Sequence, residues 1–341
     1  MNRAKSVNRL FLVLIVISIV SPFLFGRFLG GLNFYQSSAV SEALFLVPAF
    51  FYVLLTGGEC LNDLQLQIPR ISVLILVVVL SWLLLPLMTW LNLFSMLFAE
   101  NYIASEMLGL DGGALGKNLF YIAVVPALAE ELIFRGFFYH GYRPAGVGKA
   151  IVFSGLCFGL LHMNLNQFCY AFVIGMIFAL LVEATGSVIS SMLAHFIINS
   201  NSVIMLAVQS RLEKSLGSGG AGAAAGTLDG ASAAEAVSRQ ELLMVLGMYT
   251  FLALICGAMA YGVLQLIIRL SGRKEHMRQV LGAGRGRQRA EGQSEKEEYG
   301  RQNAEWQEES NRMREKSIVT PALLLGILCA LVYMVVTEFL L

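Results

Sequence analysis

The stretch ALAEELIFRGFFYHGYR, residues 127–143, sets two adjacent glutamates and an arginine inside an otherwise apolar run. Of the 341 residues in the chain, 57% are hydrophobic and 14% are charged, whereas about a quarter of a soluble domain is charged. The apolar residues form long blocks, and a block of about 18 or more predicts a membrane-spanning helix. Glu130, Glu131 and Arg135 are therefore expected at membrane depth, where ionisable groups usually serve a function.

The apolar blocks predict an all-α fold, a polytopic membrane helix bundle of about eight or nine transmembrane helices. Proline inside several blocks is compatible with this fold, because neighbouring helices can satisfy the carbonyl groups that it leaves free. The candidate spans are residues 10–30, 38–57, 71–99, 117–140, 148–162, 168–184, 187–209, 241–269 and 318–341.

The distribution of basic residues predicts the orientation of the bundle. Arg3, Lys5 and Arg9 precede the first apolar block, and no small-residue cleavage site follows it, so this block is expected to be a retained first span. Successive crossings then place residues 143–149 and the charged segment 271–316 on the side of the N-terminus, in agreement with the positive-inside rule. We expect a multi-pass protein of the cell membrane whose N-terminus and 271–316 segment are cytosolic.

Two of the three charged residues inside the apolar part of this stretch can neutralise each other. Glu131 and Arg135 are four residues apart and lie on one helix face, where they can form an ion pair. Glu130 points about 100° away from that face and has no such partner on its own helix. A polar group on another helix must therefore pair with the Glu130 carboxylate.

Three polar residues on later spans are expected at the same depth as Glu130. His162 ends the apolar run AIVFSGLCFGLLH, and His195 and Asn199 are four residues apart on one face of the seventh span. A helix rises 1.5 Å per residue, so these side chains and Glu130 lie roughly 12–20 Å from the cytosolic ends of their spans. The hydrocarbon core is about 30 Å thick, so all four are expected near mid-membrane in one partly hydrated site.

This set of side chains suits the hydrolysis of peptide bonds. Glu130 would take a proton from water and later return it to the leaving amine, and His162 would position that water. His195 and Asn199 would donate hydrogen bonds to the developing oxyanion, a role often worth roughly 2.7–4 kcal/mol per donor. Glu131 and Arg135 would be supporting residues. The chain contains no HExxH, GxSxG or Gly-rich phosphate loop that would favour another chemistry.

Two alternatives use the same residues differently. Glu130, His162 and His195 would also make a two-histidine, one-carboxylate zinc set, and their spacing leaves that open. We favour metal-free activation of water without a cofactor, because Asn199 beside His195 is more typical of an oxyanion donor. A transporter would also place charges at mid-membrane, but usually in two symmetric halves, which the sequence lacks. A non-catalytic membrane scaffold would keep the fold and lose the chemistry.

Other ionisable and metal-binding side chains carry no comparable pattern. Glu42 lies in the second span, where it would line a pathway only if a partner existed, and none is evident. His140 and His276 are expected at the interface or in solvent. The five cysteines lie in or next to apolar runs without metal-site spacing, which favours small buried hydrophobic residues.

The three polar clusters resemble the motifs of the CPBP intramembrane proteases, the family of CAAX proteases and bacteriocin-processing enzymes that includes the Ras-converting CAAX endopeptidases. The family motif EExxxR corresponds to Glu130 through Arg135, FxxxH to Phe158 through His162, and HxxxN to His195 through Asn199. No motif residue is missing, contrary to what a silent scaffold would predict. The resemblance covers roughly residues 115–205. It implies a glutamate-based endopeptidase with the residue roles given above.

With that resemblance, the chain divides into six regions. They are residues 1–114, N-terminal transmembrane helices; 115–210, a catalytic CPBP-like membrane core; 211–240, a flexible Gly/Ala-rich loop; 241–270, a transmembrane helix; 271–316, a charged cytosolic segment; and 317–341, a C-terminal transmembrane helix. The expected partners are membrane lipid and a polypeptide substrate, either lipid-modified or a small exported peptide. No nucleic-acid partner is expected.

Overall fold

The computed structural model describes residues 3–28, 32–61, 64–102, 107, 110–216, 238–280 and 318–340, and these residues form helices without a β-strand. The predicted all-α membrane bundle is confirmed, since seven of the described helices are long and apolar enough to cross a membrane. The helices are α1 (Arg3–Phe28), α2 (Phe34–Leu55), α3 (Ile71–Ser95), α4 (115–142), α5 (Val147–Leu160), α6 (Leu165–Thr185), α7 (Val188–Leu216), α8 (Arg239–Leu270), α9 (Lys274–Val280) and α10 (Pro321–Phe339).

Each predicted span corresponds to one of these helices, although the ends differ. Helix α1 begins at Arg3, seven residues before the predicted start, because the polar residues before the first apolar block also adopt helical geometry. Helix α8 begins at Arg239 because Ser238 and Glu241 form a capping box, which satisfies backbone N–H groups at a helix start. Most of the predicted loop 211–240 and of the charged segment 271–316 lies outside the described residues, at 217–237 and 281–317.

Helix α4 is not the single regular helix that the sequence predicted. Its α-helical geometry is interrupted by two π-helical stretches, Leu119–Val124 and Leu132–Tyr139, and the α-helical turns Val125–Glu131 lie between them. Such π-helical turns are often found at functional sites. Both glutamates of the opening stretch lie in the regular segment between the two irregular ones.

A proline explains part of this irregularity. In a regular α-helix the Ile122 carbonyl would accept a hydrogen bond from residue 126, but Pro126 has no N–H to donate. Asn199 on α7 supplies a donor instead, because its Nδ2 lies 3.1 Å from the Ile122 oxygen. The proline thus leaves a carbonyl group free, and the next motif helix binds to it.

Helices α5 and α6 form a tight hairpin that presents the second motif. Helix α5 ends at Leu160, and the turn that follows contains Met163 with φ of 53°, in the left-handed region. Asn164 then caps α6, since its side chain accepts a hydrogen bond from the Gln167 N–H at 2.9 Å. His162 therefore lies in a turn at the end of a 14-residue helix, as the short predicted span suggested.

Helix α7 brings the third motif against α4, and α2 also packs along α4. Tyr35, near the start of α2, donates a hydrogen bond to Asn118 Oδ1 at 2.6 Å. Tyr52, near the end of α2, packs against Phe137 with ring centroids 5.5 Å apart. The two helices are therefore parallel and in register over most of their length.

Candidate active site

The ion pair predicted within α4 is present and fully buried. Arg135 Nη1 lies 2.6 Å from Glu131 Oε1, and neither side chain has any exposed surface. A second nitrogen, Nη2, donates to the Gly175 carbonyl at 3.1 Å, which ties α4 to α6. The Arg135 guanidinium also lies 4.4 Å from the Phe158 ring centroid and 5.1 Å from that of Phe178, at distances typical of cation–π contacts.

His195 joins this pair from α7. Its Nδ1 lies 3.0 Å from Glu131 Oε1, and its Nε2 lies 3.9 Å from Glu130 Oε2. Because a carboxylate accepts, Nδ1 must carry the proton of this hydrogen bond. The orientation of the ring therefore leaves Nε2 directed at Glu130, and His195 contacts both glutamates of the first motif.

The contact between His195 and Glu131 changes the role expected for Glu131. Sequence reasoning gave this glutamate only the arginine on its own helix, whereas the structure shows that one carboxylate oxygen binds both Arg135 and His195. Nothing in the spacing of the two motifs could have revealed this contact, because it depends on the rotation of α7 against α4.

His162 approaches the same site from the α5–α6 turn. Its Nδ1 lies 2.8 Å from the Phe158 carbonyl oxygen, so Nδ1 is the donor and Nε2 is the acceptor in the neutral ring. The Phe158 ring contacts both imidazoles, with its centroid 4.8 Å from that of His162 and 6.0 Å from that of His195. Both phenylalanine and histidine of the second motif thus contact the site.

Glu130 has a looser environment than its neighbours. Its side chain is 22% exposed, and the 3.9 Å approach to His195 is longer than a hydrogen bond. Glu42 on α2 is 9% exposed, and its buried Oε2 has no hydrogen-bond partner among the described residues. Sequence reasoning gave Glu42 no role, and the only available signal was a lone carboxylate inside an apolar helix.

Asn199 lies one turn beyond His195 but is directed at a different group. Its Nδ2 donates to the Ile122 carbonyl, which uses one of the two N–H bonds of the amide. The structure therefore brings Glu130, Glu131, Arg135 and His195 into direct contact and adds His162 through Phe158. The catalytic roles of these residues stay predictions.

A second buried carboxylate, Glu183, lies at the cytosolic end predicted for α6. Arg143 holds it with two hydrogen bonds, Nη2 to Oε1 at 2.9 Å and Nε to Oε2 at 3.2 Å. Tyr139 and His276 also donate to it, and Arg273 Nη2 lies 3.7 Å from Oε1. The hydrogen bonds to Glu183 raise the pKa of Arg143 above its ordinary value, so this arginine stays charged.

These contacts correct two expectations about histidines. His276, expected at the interface or in solvent, binds Glu183 from α9, so the start of the charged segment is attached to the membrane core. His140 was expected in the same environment, yet it is 7% exposed and its Nδ1 lies 2.6 Å from the Arg135 carbonyl oxygen. In both cases the imidazole binds a buried polar group, the Arg135 carbonyl for His140 and the Glu183 carboxylate for His276.

The geometry also tests whether the predicted zinc alternative fits. Among the described residues, no group of three His, Cys, Asp or Glu side chains stands close enough together to hold a metal ion. Glu130, His162 and His195 do not form such a group in this arrangement.

The match to a known family covers the segment that carries these contacts. Residues 115–201 match the family described as Rce1-like, type II CAAX prenyl endopeptidase. No curated protein and no solved structure matches the chain at a significant level. The matched segment runs from the start of α4 into α7 and contains all three motifs, which confirms the resemblance that they predicted. The match over residues 115–201 thus supports the CPBP family of CAAX-type proteases.

Proposed function

We propose that this protein is an intramembrane endopeptidase that hydrolyses peptide bonds with water activated by Glu130. The observation that supports this most directly is the contact set of His195, which places one imidazole nitrogen on Glu131 and the other opposite Glu130. An exposed carboxylate facing an imidazole that a second, buried carboxylate orients is the arrangement that acid–base catalysis requires. The family match over residues 115–201 supports the same activity.

The distance between Glu130 and His195 suits a bound water molecule. A gap of 3.9 Å is too long for a direct hydrogen bond, but one water can bond to both atoms at about 2.8 Å. Glu130 takes one proton of this water while the oxygen attacks the scissile carbonyl carbon. His162 Nε2, which is an acceptor because Nδ1 donates to Phe158, can accept a hydrogen bond from the other proton.

The oxyanion formed by this attack needs donors. If His195 enters the reaction protonated on both nitrogens, it donates from Nε2 while Nδ1 binds Glu131. The second N–H bond of the Asn199 amide is the other candidate donor. Glu130 then gives its proton to the leaving amine as the C–N bond breaks. The acyl product has gained the hydroxyl group of the water, and the amine has gained the proton.

The substrate class follows from the location of the site. Glu130 lies on a helix of a multi-pass bundle, so the polypeptide must reach it at the membrane. We propose a lipid-modified or membrane-associated polypeptide, in keeping with the family description; a small exported peptide is the alternative. We propose the cell membrane as the location, with the N-terminus and the 271–316 segment in the cytosol.

Comparative peptidomics of membranes tests this proposal. We would compare cells that produce the wild-type protein, Glu130→Gln and Glu275→Gln, the last being a control because Glu275 is an exposed residue of α9 paired with Arg278. Peptides released by the wild type and the control should be missing with Glu130→Gln. Release at the wild-type rate by Glu130→Gln would rule out Glu130 as the base.

A further inference from the structure

A cluster of basic side chains surrounds Glu183 near the end of α6. Arg143 Nη2 at 2.9 Å and Arg273 Nη2 at 3.7 Å share one oxygen, Glu183 Oε1, to which His276 Nε2 also donates. The carboxylate is buried, whereas the three basic side chains are between 24% and 34% exposed. The basic groups therefore form the outer surface of this cluster.

The cluster carries more positive than negative charge. Two arginines face the single carboxylate of Glu183, and the one acidic residue of α9, Glu275, is already paired with Arg278 at 2.7 Å. Arg273 uses Nε to bind the Glu183 carbonyl oxygen at 2.7 Å, and its Nη1 has no hydrogen-bonded acceptor among the described residues. Partly buried guanidinium groups are usually paired with an anion. One positive charge thus remains without a counter-ion in the described part of the chain.

Gly186 keeps a space open beside Arg273. It ends α6 in the left-handed conformation, with φ of 72°. A Cβ atom at this position would lie 2.9 Å from Arg273 Nη1 and 3.3 Å from Gln67 Nε2, so both nitrogens approach the same small space. Gln67 Nε2 donates one N–H to the Gly186 carbonyl at 2.6 Å and has a second one to give. Two N–H donors therefore converge where any other residue would place a carbon atom.

The segment that carries Gln67 also exposes apolar side chains. In the non-helical residues 64–70, Gln65 and Gln67 bind the turn between α6 and α7. The residues that alternate with them, Leu66 and Ile68, are 45% and 78% exposed, as the alternation of an extended chain predicts. Exposed apolar side chains next to basic ones suit the boundary between lipid headgroups and acyl chains.

We propose that the space over Gly186 binds the phosphate group of an anionic phospholipid. Arg273 Nη1 and Gln67 Nε2 donate to the phosphate oxygens, while Leu66 and Ile68 contact the acyl chains. The site lies where α3 begins and α6 and α8 end, which is the level of the headgroups. Guanidinium groups match the geometry of phosphate, and basic pockets between membrane helices bind anionic headgroups. This inference goes beyond the proposed function and does not depend on it.

Titration of the purified full-length protein with lipid tests this site. The midpoint of thermal unfolding in a neutral detergent would be followed as phosphatidylglycerol, phosphatidylcholine or inorganic phosphate is added, because a ligand of the folded state raises this midpoint. Phosphatidylglycerol should act at a lower concentration than phosphatidylcholine, whose positive choline group is repelled by the excess charge. Inorganic phosphate should have little effect, because it lacks acyl chains.

Two substitutions address the proposed donors. Arg273→Gln removes the guanidinium group, and Gln67→Glu places a carboxylate where the phosphate would bind while Arg273 stays on Glu183. The loss of a charge-assisted hydrogen bond should weaken the apparent affinity for phosphatidylglycerol by about tenfold. Arg278→Gln is the matched control, because it removes one positive charge that Glu275 already balances, and it should bind this lipid like the wild type.

Each outcome decides the proposal. A tenfold weaker affinity in Gln67→Glu with an unchanged control supports the site, whether or not Arg273→Gln folds. Wild-type affinity in either folded variant, or an equal loss in Arg278→Gln, would show that the lipid binds elsewhere and would overturn it. Equal effects of the two lipids would refute the preference for an anionic headgroup. A shift with inorganic phosphate as large as that with phosphatidylglycerol would refute a lipid as the occupant.

Discussion

Two carboxylates of this protein, Glu130 and Glu183, are both set into membrane helices but have opposite surroundings. Glu183 is 1% exposed and receives hydrogen bonds from Arg143, Tyr139 and His276, with Arg273 nearby. Glu130 is 22% exposed, and among the described residues its one ion-pair contact is His195 Nε2 at 3.9 Å. The adjacent Glu131 is also a carboxylate.

Under the proposed function, this difference separates a structural carboxylate from a reactive one. A buried charge with several donors and cations remains ionised and holds its neighbours in place. A partly exposed carboxylate with few donors can exchange a proton with water and with a leaving amine, as a general base must. The number of donors around each carboxylate is therefore a better guide to function than its depth.

The largest expected effect comes from removing the reactive carboxylate. General acid–base catalysis contributes about 10²–10⁴-fold, so Glu130→Gln should lower the rate of peptide cleavage by about that factor in purified protein with a cleavable peptide. Its midpoint of thermal unfolding should stay close to that of the wild type, because the amide replaces a group without hydrogen-bonded partners. A large loss of thermal stability would indicate that Glu130 is structural, like Glu183.

The reverse pattern is expected for Glu183→Gln. Breaking a buried ion pair costs about 3–5 kcal/mol, but Arg143 and His276 are about one-third exposed. We therefore expect a smaller loss of about 2 kcal/mol, measured as a lower unfolding midpoint in detergent. Cleavage per folded molecule should be retained. A folded but inactive Glu183→Gln would contradict the division between the two carboxylates.

A smaller effect is expected at the edge of the Glu183 cluster. Substituting His276 by alanine removes one donor and leaves Arg143, Tyr139 and Arg273 around the carboxylate. Partly exposed ion pairs are worth about 0–1 kcal/mol, so thermal stability should fall slightly and cleavage should be unchanged. His195→Ala is the matched substitution at the other carboxylate, and it should abolish most cleavage. Equal rates of cleavage by His276→Ala and His195→Ala would contradict the proposed difference between Glu183 and Glu130.

The smallest effect is expected from removing metal ions. Because the proposed chemistry uses only side chains and water, dialysis against a chelator should leave the rate of cleavage unchanged. Metal content and activity would be measured on the same samples. Activity that is lost on chelation and recovered with zinc would overturn the metal-free proposal and require His162 and Glu130 to move together.

The sequence predicted the helices and the motif residues because both are local signals. Long apolar blocks fix the spans, and the four-residue spacing of Glu131 and Arg135 fixes their ion pair. The resemblance to the protease family also rests on such spacings. These signals survive without any knowledge of how the helices pack.

Contacts between helices could not be predicted in the same way. The hydrogen bond of His195 to Glu131 depends on the rotation and register of α7 against α4. The contacts of Tyr35 with Asn118 and of Tyr52 with Phe137 depend in the same way on α2. His276 was separated from Glu183 by two long helices and their loop, so composition placed it in solvent. The π-helical turns of α4 were missed because Pro126 alone does not specify which geometry the chain adopts around it.

The missing N–H of Pro126 has a consequence for how substitutions at distant positions would combine. An alanine at this position would allow the stretch Leu119–Val124 to become a regular α-helix, and its N–H would then compete with the Asn199 amide for the Ile122 oxygen. Helix α7 would then lose its hydrogen bond to α4, while α4 became a more regular helix. Pro126 and Asn199 are therefore interdependent, because a substitution at either position changes which group binds the Ile122 carbonyl.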